Sequence, residues 1–148
     1  MDKERIKAYL FHSVQSRKNN LTEAIAQAQE SMLLETKSSS GDKHETARAK
    51  MQIELEKLSS QLNELEHQIL YLNKINFEIL PSVVQPGAIV KTDKGDFVVA
   101  LGIGKIESES FKIYGISTSS PIGQQMIGKK IGDTFTINGI AYTIKNIG

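Results

Sequence analysis

Two carboxylates, Asp42 and Glu45, are the pair of side chains in this sequence most suited to chemistry. Residues three apart on a helix lie on the same face, so this pair can supply oxygen ligands to one Mg²⁺ ion. Magnesium commonly takes one or two protein carboxylates and keeps several waters, so the pair alone would bind it weakly and a partner would supply further ligands. The same spacing also predicts an acidic capping box, with Asp42 at the N-cap and Glu45 at the third helical position. The two interpretations are compatible.

The other polar residues do not form a self-contained active site. His12, His44 and His67 are far apart in the chain, and none stands at a metal-ligand spacing from another. Arg48 and Lys50 follow the acid pair, and they are either a solvated face or part of a basic strip that meets a phosphate backbone. The sequence has no cysteine, which excludes a disulfide framework, a thiolate metal site and a thiol nucleophile.

Length and composition narrow the class of protein. The chain has 148 residues, enough for one ordinary domain or two small units, and its 39% apolar content predicts a folded core. A net charge of +1 gives no overall basic character, so any contact with nucleic acid must come from a local patch. No apolar stretch approaches the roughly 18 residues of a membrane span, and no apolar segment follows the charged N-terminus. We expect a cytoplasmic protein without membrane contact.

The positions of glycine and proline divide the chain near residue 78. Residues 1–78 contain one glycine, Gly41, and no proline, whereas residues 79–148 contain ten glycines and three prolines. The first part predicts two helices joined at one turn near residues 38–45. In the second helix, apolar residues recur at spacings of 4 and 3: Met51, Leu55, Leu58, Leu62, Leu65, Ile69 and Leu72. Such a seam predicts a long antiparallel coiled-coil hairpin over residues 1–78.

Residues 79–148 predict a small antiparallel β domain with one short helix. Short segments rich in Val, Ile, Phe and Thr predict strands at 88–92, 97–101, 111–116, 134–137 and 140–147. Asn138-Gly139 between the last two is a strong hairpin turn motif. Ser120 as N-cap and Pro121 at the first helical position predict a short helix over residues 121–127 that ends before Gly128. The predicted fold class is therefore α+β.

Two motifs resemble the Gre family of bacterial transcript cleavage factors, GreA and GreB. Residues 120–123 read Ser-Pro-Ile-Gly and residues 127–133 read Ile-Gly-Lys-Lys-Ile-Gly-Asp. They are similar to the family's Ser-Pro-Ile-(Gly/Ala), short helix and Leu-(Ile/Leu)-Gly-Lys-(Lys/Glu)-Val-Gly-Asp. Gly41-Asp42 with Glu45 is similar to the Gly-Asp-x-x-Glu at the family's coiled-coil tip. The architecture that accompanies these motifs covers the whole chain.

The resemblance implies an accessory factor rather than a self-sufficient enzyme. It implies an FKBP-like fold for residues 79–148, docked beside the secondary channel of RNA polymerase through Ser119, Ser120 and Pro121. The hairpin would enter the channel, where Asp42 and Glu45 would help hold a catalytic Mg²⁺ shared with the polymerase. That site would hydrolyse the 3′ end of a backtracked nascent RNA. The chain would carry no tightly bound cofactor of its own, and the basic residues Arg48 and Lys50 would lie near the RNA.

Departures from the family pattern leave other functions open. Thr46-Ala47-Arg48-Ala49 stands where the family usually has Asn-Ala-Glu-Tyr after the tip, which removes an acid and an aromatic ring. A channel-binding regulator or inhibitor without cleavage activity is therefore the alternative. A third candidate, a peptidyl-prolyl isomerase, follows from the fold alone, and an aromatic proline pocket is hard to assemble from Phe97, Phe111, Tyr114, Phe135 and Tyr142. Because the seam closes within one hairpin, we expect a monomer.

Overall fold

The chain begins with two long helices. The computed structural model describes residues 3–37 and 41–148, and it describes side chains over 3–34 and 45–148. Helix α1 spans Lys3–Lys37 and helix α2 spans Gly41–Lys74. The predicted turn near 38–45 thus lies partly outside the described residues. Helix α2 begins at Gly41, within the segment predicted as a turn, because the polar residues before Met51 carry no apolar seam from which the start could be predicted.

The apolar seam of each helix is its buried side. The seven seam residues of α2 are all buried or half-buried, whereas Glu54, Lys57, Glu64 and Glu66 are exposed. On α1 the apolar residues that continue the pattern are likewise buried or half-buried: Ile6, Leu10, Val14, Leu21, Ile25, Ala28 and Met32. Residues 17, 20 and 21 line one cavity with residues 61, 64, 65 and 68, while residues 29, 32 and 33 line another with residue 48. Residues later in α1 thus lie beside residues earlier in α2. The two helices are therefore antiparallel, and the predicted hairpin is confirmed.

The C-terminal half forms a six-stranded sheet with one short helix. The strands are β1 Ile89–Thr92, β2 Gly95–Val99, β3 Gly104–Glu107, β4 Lys112–Ile116, β5 Thr134–Ile137 and β6 Ile140–Ile147, and helix α3 spans Pro121–Met126. Their order across the sheet is β3-β4-β2-β1-β6-β5. The α+β class is confirmed. The expectation of an all-antiparallel sheet is wrong at one pair, because β2 and β4 are parallel with Phe97 opposite Tyr114.

Strand β3 makes that parallel pairing possible. Chain leaving β2 runs outward to the sheet edge as β3, and β4 then returns antiparallel to β3 and lies between it and β2. The sequence prediction missed β3 because Ile106 is its one buried residue and a glycine begins it. A strand this short at a sheet edge has little hydrophobic alternation to reveal it.

Two turns fix the register of the central strands. Asn138 and Gly139 both have positive φ, 52° and 77°, as a type I′ turn between β5 and β6 requires, so the predicted hairpin is confirmed. At the β1–β2 turn the carboxylate of Asp93 accepts a hydrogen bond from the Thr143 amide at 2.8 Å. Thr143 and Lys94 donate to this carboxylate and hold the pKa of Asp93 below its ordinary value of 3.8. The side chain thereby extends the β1–β6 pairing past its register shift at Lys91/Thr92.

Both faces of the sheet are covered. One face holds a core cluster that includes Val90, Phe97, Val99, Met126 and Ile144. Because side chains alternate along a strand, Val98 of β2 points to the other face, and it is also fully buried, as are Ile106 and Ile113.

The chain forms two compact units. One unit comprises Met1–Leu10 with Tyr71–Gly148, and the other comprises Phe11–Leu70. The first unit therefore contains the start of α1 and the end of α2 together with the sheet, and within it the Lys3 ammonium donates to the Ile79 carbonyl at 3.1 Å. The predicted domain boundary between residues 78 and 79 stays a prediction. Among the described residues, no helix is long and apolar enough to cross a membrane.

Candidate functional site

The acid pair lies at the start of α2. Since α2 begins at Gly41, Asp42 is its second residue and Glu45 its fifth. The capping box depends on the side chain of Asp42, which lies outside the described residues, so it stays a prediction. An acid in the first turn is still favoured there by the helix dipole. Positions 42 and 45 share a face of α2. The Glu45 side chain is exposed, and that of Asp42 lies outside the described residues.

The two basic residues beyond the acids do not form one patch. Arg48 and Lys50 are both exposed, but residues two apart on a helix point to different faces. Arg48 lies three residues after Glu45, on the same face, and it lines a shallow cavity with Met32 and Leu33 of α1. Of the predicted basic pair, only Arg48 is therefore spaced to share a face with Glu45.

The hairpin by itself provides few ligands for a metal. Where side chains are described, no group of three or more His, Cys, Asp or Glu residues could hold a metal ion. Asp42 and Glu45 offer hard carboxylate oxygens, which are the ligand type that Mg²⁺ prefers. Two carboxylates do not complete the octahedral coordination of this ion. The donor set therefore fits Mg²⁺ whose remaining ligands come from water or from another macromolecule.

A serine-rich turn before α3 forms the second candidate site. Ser120 is the N-cap of α3, as predicted: its Oγ accepts from the Gly123 amide at 3.1 Å and donates to the Ser117 carbonyl at 2.7 Å. Ser119 and Pro121 are exposed, whereas Ser120 is half-buried. Of the three predicted docking residues, two present free surface and the third uses its hydroxyl within the turn.

Close packing holds the serine turn in shape. A Cβ atom on Gly123 would collide with the Ser117 backbone carbonyl, so only glycine fits there. The Ser117 and Ser119 hydroxyls lie 3.1 Å apart, and the Gln124 carboxamide donates to the Ser119 carbonyl at 3.3 Å. The role of Ser117 could not be predicted from the sequence, since it depends on the backbone path around this residue. The turn is thus a preorganised surface.

The aromatic residues of the C-terminal half do meet, but within the core. The Phe97 ring lies 6.0 Å from the rings of Tyr114 and Tyr142, and Phe135 stacks on Tyr142 at 5.1 Å between centroids. Phe97 and Phe135 are buried. Four of the five rings therefore lie near one another, and the buried pair, Phe97 and Phe135, is part of the core cluster.

A two-helix hairpin followed by a mixed sheet with a capped short helix places the chain in the α+β class with two potential contact sites. Residues 81–148 match the family model described as "Transcription elongation factor, GreA/GreB, C-term". The resemblance of the chain to the Gre family is confirmed by this match. The match includes the serine turn and α3.

Solved structures of similar proteins include two of Gfh1. One is a structure of the transcription factor Gfh1, and the other is a crystal structure of Gfh1 from Thermus aquaticus. Each is 17% identical over 93% of this chain and 92% of that chain, with TM-scores of 0.37 and 0.35. No curated protein matches the chain.

Proposed function

We propose that this protein is a transcription elongation factor that binds RNA polymerase at its secondary channel and stimulates cleavage of backtracked RNA. The observation that carries the proposal is a GreA/GreB C-terminal domain preceded by a long hairpin that has Gly41-Asp42 and Glu45 at the start of its second helix. The serine turn would dock the factor, through Ser119 and Pro121. The FKBP-like assignment of the sheet domain stays a prediction.

The acids supply the chemistry of this proposal. Asp42 and Glu45 would bind a Mg²⁺ ion shared with the polymerase, and such an ion lowers the pKa of a bound water and stabilises charge on phosphate oxygens. Their position at the end of a hairpin allows them to reach a site that is buried in a partner. The first turn of α2 also keeps both positions on one face, which lets both carboxylates approach one ion.

A regulator without cleavage activity is the second candidate, and Arg48 is the observation that favours it. Its position on the face of Glu45 puts a cation where the family usually has an acid. A guanidinium there competes with a metal for the same carboxylates, since Arg–carboxylate pairs are strong and often bidentate. Such a factor would still dock, but it would not promote hydrolysis.

Release of short 3′ RNA fragments from backtracked elongation complexes tests the proposal. We expect release with the wild-type protein, and an approximately 100-fold or greater loss with Asp42→Asn or Glu45→Gln, since a metal-ion contribution amounts to several kcal/mol and each 1.4 kcal/mol changes the rate tenfold. Amides keep the shape and helix compatibility of the carboxylates but are poorer Mg²⁺ ligands. Both variants should bind polymerase as the wild type does.

Glu54→Gln is the matched control, because Glu54 is an exposed acid of α2 outside the seam and away from the acid pair. It should cleave like the wild type. No release by the wild-type protein would establish the regulator instead. Arg48→Glu should then restore release if Arg48 is the residue that blocks it. Release that survives both acid substitutions would exclude the acids from the chemistry.

A further inference from the structure

The backbone and the side chain of Ser117 contact different parts of the serine turn. The Ser117 carbonyl accepts from the Ser120 hydroxyl at 2.7 Å and from the Ser120 amide at 3.3 Å, so the carbonyl shapes the turn and supports the N-cap of α3. The Ser117 hydroxyl takes no part in those two bonds and instead lies 3.1 Å from the Ser119 hydroxyl. The capping of α3 therefore does not account for the hydroxyl of Ser117.

Ser119 is held both at its backbone and at its side chain. The Gln124 carboxamide donates to the Ser119 carbonyl at 3.3 Å, which ties this part of the backbone to α3. An exposed serine side chain otherwise exchanges between three staggered rotamers within nanoseconds. The hydrogen bond with the Ser117 hydroxyl favours one of these rotamers. The hydroxyl of Ser119 thus has a preferred direction although the residue is exposed.

The sheet places the hydroxyl that orients Ser119. Ser117 directly follows Ile116, which is the last residue of β4 and a member of the core cluster. The Ile116 carbonyl accepts from the Ala100 amide at 2.9 Å, and Ser117 itself is half-buried. A side chain one residue beyond a buried strand has a well-fixed origin. Ser117 can therefore act as a reference point for the exposed residue two positions further along.

We propose that Ser117 is a positioning residue for docking, whose hydroxyl orients the exposed hydroxyl of Ser119 toward the partner. This inference rests on the proposed function, in which the serine turn contacts RNA polymerase through Ser119. A hydroxyl has one donor hydrogen and two acceptor lone pairs, so Ser119 keeps hydrogen-bonding capacity for the partner after it pairs with Ser117. A side chain that already holds its bound rotamer loses less entropy on binding.

The dissociation constant of the complex between the full-length protein and RNA polymerase tests this role. Ser117→Ala removes the hydroxyl and keeps the carbonyl, so it should melt within about 4 °C of the wild type. It should weaken binding by about two- to tenfold, since one more side chain must be immobilised in the complex. Ser119→Ala should weaken binding at least as much. Ser59→Ala, which removes an exposed hydroxyl of α2, is the matched control and should bind like the wild type.

A double-mutant cycle shows whether Ser117 acts through Ser119. The variant that combines Ser117→Ala with Ser119→Ala should bind no more weakly than Ser119→Ala alone, because the hydroxyl that Ser117 orients is already gone. Ser117→Thr keeps a hydroxyl at this position, so it should bind within about twofold of the wild type. If Ser117 contacted the polymerase by itself, the two losses would multiply instead.

NMR of the free protein measures the orientation directly. The scalar couplings between the α and β protons of Ser119 report its side-chain rotamer. We expect one dominant rotamer in the wild type and averaging over the staggered rotamers in Ser117→Ala. A role of Ser117 in stability alone would leave these couplings unchanged at a temperature where both proteins are folded.

The outcomes separate this inference from the proposed function. No binding of polymerase by the wild type would overturn the proposed docking, and the docking role of Ser117 with it. Binding by the wild type and equally tight binding by Ser117→Ala would overturn the role of Ser117 alone. Losses that multiply in the double variant, or an averaged Ser119 rotamer in the wild type, would likewise exclude positioning through Ser119.

Discussion

Ser120→Ala separates the two roles that the serine turn combines. The substitution removes the N-cap acceptor for the Gly123 amide and the donor to the Ser117 carbonyl. A lost N-cap costs about 1 kcal/mol, and a lost hydrogen bond from a half-buried hydroxyl costs up to about 1 kcal/mol more. For a unit of this size each kcal/mol lowers Tm by roughly 4–8 °C. We therefore expect Tm to fall by about 4–16 °C.

Thermal melting followed by circular dichroism measures this effect, with Ser120→Thr as the control. Threonine keeps the hydroxyl and caps helices nearly as well as serine, so its Tm should stay within about 2 °C of the wild type. At a temperature where both are folded, Ser120→Ala should still bind RNA polymerase, because the side chain is committed to the turn. An unchanged Tm for Ser120→Ala would refute the capping argument, and lost binding with an unchanged Tm would assign Ser120 to the contact itself.

Three further predictions concern two residues of the serine turn and one residue of the β1–β2 turn. Ser119→Arg should melt like the wild type and abolish binding in a polymerase pull-down, because Ser119 is exposed; retained binding would exclude the turn as the docking surface. Gly123→Ala should destabilise the fold by about 3 kcal/mol in urea unfolding, because its Cβ collides with the Ser117 backbone, and a smaller loss than 1 kcal/mol would contradict the geometry. Asp93→Asn should lower Tm at pH 7, and the difference from the wild type should shrink as the pH falls below about 4. The folded-state pKa of Asp93 is lowered, so its stabilisation is present above its ordinary pKa and is lost as the pH falls through the folded value. A difference that stays constant between pH 7 and pH 2.5 would rule out the carboxylate as its source.

Local patterns in the sequence predicted most of the fold. The spacing of the seam residues, the Asn138-Gly139 turn and the Ser120-Pro121 helix start each depend on neighbouring residues only, and all are confirmed. The parallel β2–β4 pair and strand β3 could not be predicted in this way. The β2–β4 pair joins strands that are not consecutive in the chain, such as Phe97 opposite Tyr114. Strand β3 pairs with the strand that follows it, but a four-residue edge strand has too short a pattern to show it.

The candidate sites likewise combine features that a local sequence pattern predicts and features that depend on the fold. The acid pair and the serine turn were found because each is a contiguous motif that resembles a known family. The supporting roles of Ser117 and Gly123 were not predicted, because they follow from the backbone path of the turn, which brings the Ser117 carbonyl against both the Ser120 hydroxyl and Gly123.

The discontinuity of the sheet-containing unit has a consequence for the order of folding. That unit ends at Leu10 and resumes at Tyr71, so the buried residues Ile6 and Leu10 find their partners only after 60 intervening residues. Contacts such as that of Arg5 with Ser110 span 105 positions of sequence. Closing such long loops is entropically costly unless something shortens them.

Formation of the antiparallel hairpin provides that shortening. Pairing of α1 with α2 is local along the chain, so it can form early, and it brings residue 11 near residue 70 before any long-range contact is made. The effective loop between the two parts of the discontinuous unit then becomes a few residues. Substitutions that weaken the hairpin seam should therefore slow the folding of a sheet that they do not touch.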